Sequence, residues 1–148
     1  LIKNKKTDNK NVNQIKALPK VFDNDREKFC HIMNRNIETT QNFNAENYSA
    51  KILDDEEIIR LAKQNSPRLL SKFRSAYPEF FENLAAVNAN LQNSEIIFCI
   101  YLKLRLSTKE IAIYTFVTPK AIQNRKNRLR KKLTISSDTD IYKWFDQL

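Results

Sequence analysis

Apolar residues in this chain recur at spacings of three, four and seven, and nowhere do they alternate with polar ones over a strand's length. Between Val21 and Ile37 the positions Phe22, Phe29, Ile32, Met33 and Ile37 trace one stripe of a helix. The segment QNFNAENYSA, 41 to 50, reads as polar connector. A stronger helix is expected to begin near Asp54, where the run DDEE suits the positive end of a helix dipole, and to continue through IIRLAKQN. Pro67 and Pro78 are each expected in the first turn of a new helix, PRLLSKFRSAY and then PEFFENLAAV. There is no hairpin signal and no glycine. The predicted fold class is all-α.

The C-terminal third is the most legible. Asn93 is the expected N-cap of the helix SEIIFCIYLKL, whose apolar positions Ile96, Ile97, Ile100, Tyr101 and Leu104 keep helical period. Ser107 and Glu110 have the spacing of a capping box, which predicts a short helix from Thr108 to about Tyr114. Thr118 with Pro119 marks another start, and that helix runs through AIQNRKNRLRKKL. Two helices separated by Phe116 and Val117 have the layout of a helix-turn-helix, whose second helix enters a major groove.

Charge sharpens this reading because of where it sits. The chain carries a formal net charge of +9 and a pI near 9.6, which directs attention to anionic partners. Ten basic residues fall between 103 and 132 against the single acid Glu110, while the rest of the chain holds sixteen of each sign. With Ile122 at zero, Leu129 and Leu133 lie within about 20° and form a buried edge. Lys120, Gln123, Asn124, Asn127 and Lys131 lie between about 100° and 200°, on the opposite face. Lysines neutralise phosphates, and Asn and Gln match the N6/N7 edge of adenine. Arg125, Arg128, Arg130 and Lys132 flank that face, where they are expected to grip the backbone strands. A solubilising helix surface is the plainer alternative.

On L-x-x-S-E, L-S-T-K-E-I-A, V-T-P-K-A-I-Q-N-R and R-K-K-L, residues 91 to 148 resemble the LuxR/FixJ-type (GerE-like) helix-turn-helix DNA-binding domain. The longer stretch from Phe73 to Ala112 is similar to the form at the C-terminus of Bacteroidetes regulators, often behind tetratricopeptide repeats and a membrane segment. The resemblance covers roughly residues 66 to 148. It implies a four-helix bundle, with helices near 94 to 104, 108 to 115, 119 to 132 and 138 to 147, and a third helix that reads the major groove. The base-reading positions it implies are Gln123, Asn124 and Asn127, with Lys120 beside them on the same face. Phosphate contacts are expected from Ser107, Thr108, Lys109, Thr118, Arg125, Arg128, Arg130 and Lys131. Two departures stand out: Arg105 and Thr134 occupy places where the family commonly has glycine. Lys126 stands where Ile or Val is usual, so its stem is expected to pack while its ammonium snorkels outward.

The expected organisation is a mobile polar arm over 1–20, a helical linker and dimerisation region over 21–90, and the DNA-binding unit over 91–148. Leu69, Leu70, Phe73, Tyr77, Phe80, Phe81 and Leu84 offer more apolar surface than two short helices can hide alone, which predicts a homodimer, the alternative being that they pack on helix 94 to 104 within one chain. Double-stranded DNA is the expected partner. With no Met at position 1, the chain reads as a C-terminal piece of a longer protein or as a trimmed chain, and the resemblance implies the output region of a bacterial signalling protein, with the sensor upstream or in a partner. Cys30 and Cys99 give no disulfide framework, which fits the cytoplasm or the cytoplasmic end of a membrane-anchored protein. The longest apolar run, Ile96 to Leu102, falls far short of the roughly 20 residues that cross a bilayer. No catalytic set, metal set or cofactor is expected, since His31 has only Cys30 beside it. The alternative function is a helical protein-interaction or dimerisation module that binds nucleic acid only weakly. RNA binding is a further option, without an RNA-recognition motif to support it.

Overall fold

In a computed structural model, residues 45–148 are described, with side chains from Ala50 onward; they lie within the unit Thr40–Leu148, one of two into which the chain divides. The expected arm over 1–20 and the helical stripe over 21–37 fall outside the described residues. The described part is all-α. Its seven helices are α1 (Ala45–Lys63), α2 (Leu69–Ala76), α3 (Pro78–Val87), α4 (Asn93–Lys103), α5 (Thr108–Thr115), α6 (Pro119–Lys132) and α7 (Ile141–Asp146). None of the described helices is long and apolar enough to cross a membrane.

α4 is the centre of the packing. Five consecutive residues, Phe98 to Leu102, are buried, so the helix is covered on every side rather than along one stripe. It packs against α2 and α7, while α1 lies on α2 and α5 on α6. Phe73 and Phe80 meet edge to face at 5.3 Å, and Lys103 lies over the Phe80 ring, linking α3 to α4. At the far end, Phe145 of α7 is wholly buried with Trp144 edge-on to it at 5.0 Å. Leu69, Phe73, Phe80 and Leu84, four of the residues that suggest a dimer, are thereby buried within a single chain.

Three expectations about the helices need correction. α1 begins at Ala45, nine residues before the acidic run, so Ala45–Ala50 is helix rather than connector. The acids serve a different purpose: Asp54 and Glu57 both receive Lys72 of α2, at 2.7 and 2.9 Å, and buried Asp55 accepts a hydrogen bond from the Tyr77 hydroxyl. Pro67 lies in the turn before α2 rather than inside it, whereas Pro78 is the first residue of α3. α4 is capped by Gln92 and not Asn93, with Glu95 Oε2 accepting the Gln92 N–H at 2.8 Å.

Helix ends in this glycine-free chain take a form that normally calls for glycine. Asn65, Arg105, Phe116 and Thr134 all have left-handed backbones, with φ between 47° and 58°. Each permits the next residue to donate its N–H back five positions, to Leu61, Tyr101, Ala112 and Arg130 in turn, at 2.8 to 3.1 Å. The two glycine-type turns implied at Arg105 and Thr134 are therefore formed, with the strain borne by other residues. Thr134 is exposed and β-branched, so its strain brings little in return. Thr134→Gly should stabilise the protein by about 1 kcal/mol in urea denaturation, the relief of a left-handed side chain less the added entropy of the unfolded chain.

Asp55 supplies a pH test. It is 3% exposed, its Oδ2 has no hydrogen-bond partner, and burial pushes its carboxyl above its ordinary value of 3.8. Its contribution to stability is therefore complete below that value and is lost as pH rises through its folded-state pKa. Asp55→Asn keeps an acceptor for Tyr77 and should exceed the wild type in stability at pH 7, with the gap closing as pH falls towards 3.8. Denaturation midpoints of both proteins across that range measure it.

Candidate nucleic-acid interface

The interface candidate is built on α5, the turn after it, and α6. Ser107 caps α5: its Oγ accepts the Glu110 N–H at 3.2 Å, and the Glu110 carboxylate receives the Ser107 N–H at 2.7 Å. Thr118 caps α6 by accepting the Ala121 N–H at 3.2 Å, with Pro119 as the first helical residue. Both starts stand where their sequence signals place them. Between them Phe116 turns the chain in its left-handed conformation, and α5 and α6 pack on each other.

α6 buries Ile122, Lys126 and Leu129. Gln123, Asn124 and Asn127 are exposed on the opposite side, with Gln123 Nε2 3.3 Å from Asn127 Oδ1. Lys120, Arg128 and Lys131 are exposed around them and make no hydrogen bond or ion pair with another described residue; the same holds for Lys109 on α5. The face thus presents amides together with cations that have no hydrogen-bond or ion-pair partner among the described residues.

The other basic residues of α6 are committed to the fold. Arg125 stacks over the Phe98 ring at 4.6 Å and donates to the Ser94 carbonyl at 2.6 Å, and burial holds its guanidinium below the usual range. Arg130 donates to the carbonyls of Ser136 and Thr139, at 3.0 and 2.8 Å, closing the loop before α7. Lys132 reaches both oxygens of Glu95, at 2.8 and 2.6 Å, and its own carbonyl accepts from Asn88. That bond to Lys132 holds the Glu95 carboxyl below its ordinary value.

Lys126 corrects the expectation that its ammonium would reach water. At 7% exposure, its Nζ donates to Thr108 Oγ1 and to the Tyr142 hydroxyl, both at 2.8 Å, and Tyr142 donates onward to the Leu106 carbonyl. Burial pushes its pKa down. The buried ammonium pins α6 to the first residue of α5 and to α7. It also occupies the Thr108 hydroxyl as an acceptor, one of the groups expected at a phosphate.

A signal for this division was present in the helical angles. Arg125, Lys126, Arg130 and Lys132 lie within about 80° of the buried edge at Ile122, and all four are bonded into the fold. Arg128, Lys120 and Lys131 lie beyond about 100°, and these three are free of hydrogen bonds and ion pairs among the described residues. Arg125, Arg128 and Arg130 all flank the exposed face, yet helical angle alone separates them.

Among the described residues no group of three or more His, Cys, Asp or Glu is placed to hold a metal ion. The buried Cys99 thiol is pushed up to about 12 by desolvation, which suppresses the reactive thiolate at neutral pH. In comparisons with family models, with curated proteins and with solved structures, nothing matches this chain.

The division of roles is testable by stability alone. Arg125→Ala and Arg130→Ala should each cost about 1 to 3 kcal/mol, because charged hydrogen bonds to carbonyls are removed from partly buried sites. Arg128→Ala and Lys131→Ala should stay within about 0.5 kcal/mol of the wild type. Chemical denaturation of the four variants gives the comparison.

Proposed function

We propose that this protein binds double-stranded DNA sequence-specifically through α6 and acts as the output region of a bacterial transcriptional regulator of the LuxR/FixJ type. One observation carries the reading: α6 divides its basic residues into a set locked inside the fold and an exposed set, without partners among the described residues, beside three exposed amides. A helix needing only solubility requires no amides at the centre of its outward face. In this reading Gln123, Asn124 and Asn127 meet base edges with Lys120 beside them, while Lys109, Arg128 and Lys131 meet phosphates. The capped starts at Ser107 and Thr118 add the positive ends of two helix dipoles, which favour anions. Arg125 and Arg130 act by holding α6 in place. A homodimer on a two-fold site is part of the proposal, with the buried Leu69, Phe73, Phe80 and Leu84 excluded from its contact.

Selecting duplexes from a random pool at physiological salt and titrating variants against selected and random DNA tests the reading. Arg128→Ala or Lys131→Ala should weaken binding to both and lower the salt slope by about 0.9 for each phosphate no longer neutralised. Gln123→Ala, Asn124→Ala or Asn127→Ala should cost roughly 1 to 3 kcal/mol on the selected duplex and little on random DNA. A dimer would select an inverted repeat. Equal weakening on both DNAs for the amide variants would reduce the amides to ordinary surface residues and bring forward the interaction-module alternative.

A further inference from the structure

The last turn of α5 and the turn that follows it expose three large apolar side chains close together in sequence: Ile113 at 68%, Phe116 at 89% and Val117 at 45%. Phe116 is the costliest of them. A left-handed backbone disfavours any side chain, and an aromatic ring in water gains nothing in compensation. Lys109, one turn before Ile113, and Lys120, four residues after Phe116, frame the patch as exposed cations. The only acid of this region, Glu110, is turned into the capping box of α5. An apolar centre with a wholly cationic frame suits a polyanion that carries apolar groups of its own. Duplex DNA has that chemistry, because the thymine C5-methyl groups of the major groove lie between its phosphates.

We propose that Phe116, supported by Ile113 and Val117, seats a thymine C5-methyl group at the rim of the groove that α6 enters. The proposal rests on the DNA-binding reading above and adds a reading element outside the amide set. Residues 116 to 121 are exposed without interruption, so the patch runs directly into the face that holds Gln123. The first turn of α6 to Gln123 advances about 6 Å at 1.5 Å per residue, and base pairs stack about 3.4 Å apart. Projected along the duplex axis, that advance places the recognised thymine about two base pairs outside the bases facing Gln123.

The test replaces each thymidine of the selected duplex by deoxyuridine, one position at a time, and titrates wild type, Phe116→Gly and Phe116→Asn against every duplex. Both substitutions suit a left-handed residue, so the fold should hold, and circular dichroism with thermal melting checks it. The wild type should lose about fourfold in affinity at one thymine in the stated position, the value of one buried methyl group. The variants should bind the unmodified duplex at least about fourfold more weakly and show no loss at that thymine. Identical responses of wild type and variants at every position, or a selected site with no thymine there, would overturn the proposal. So would variants that keep full DNA affinity while changing self-association in sedimentation, since the patch would then be a protein surface. Failure of the wild type to select any sequence would overturn the DNA-binding reading and this proposal together, whereas selection with indifference to the methyl groups would overturn this proposal alone.

Discussion

Everything described in this fold depends on the burial of α4 from all directions. Phe98, Cys99, Ile100, Tyr101 and Leu102 are consecutive, so no rotation of the helix would return one face to water. Each large apolar side chain so buried contributes about 1.5 to 3 kcal/mol, and together they need neighbours on every side. α2 and α7 supply two of these, and the Arg125 guanidinium of α6 covers Phe98. The polar edges of α4 then fix the positions of its neighbours: Tyr101 donates to Asn65 at the end of α1, and Glu95 receives Lys132 from the end of α6. The face of α6 opposite α4 is left exposed.

Helix identity was legible in the sequence wherever a start is marked by local chemistry. Ser107 with Glu110 and Thr118 with Pro119 announced α5 and α6, since capping involves residues only a few positions apart. α7 is shorter than the resemblance implies, beginning after Asp140, whose carboxylate accepts two backbone N–H groups. The start of α1 is not legible, because DDEE has the composition of a first turn, yet its acids answer Lys72 and Tyr77, and those partners lie outside α1. Gln92 carries no cap signal, because glutamine is an uncommon cap. Such misses share one cause: a sequence displays a charge but not the group across from it.

The same limit governs the candidate site. The apolar-to-polar angle of α6 identified the outward amides, yet ten basic residues in one stretch looked more alike than they are. Lys126 illustrates the difference. Its position predicted burial of the stem, but only the fold brings Thr108 and Tyr142 to its ammonium, making interior anchorage out of an apparent surface charge. Of the left-handed helix ends, the resemblance points to Arg105 and Thr134, while those at Asn65 and Phe116 stay hidden, because without glycine no residue type marks them.

Trp144 is the sole tryptophan of the sequence, and it stands on the short last helix against the wholly buried Phe145. α7 as a whole rests on α4, so the half-buried indole beside Phe145 reports from one helix of known position instead of an average over many. Its ultraviolet emission is thus a built-in optical gauge of whether the C-terminal helix is seated.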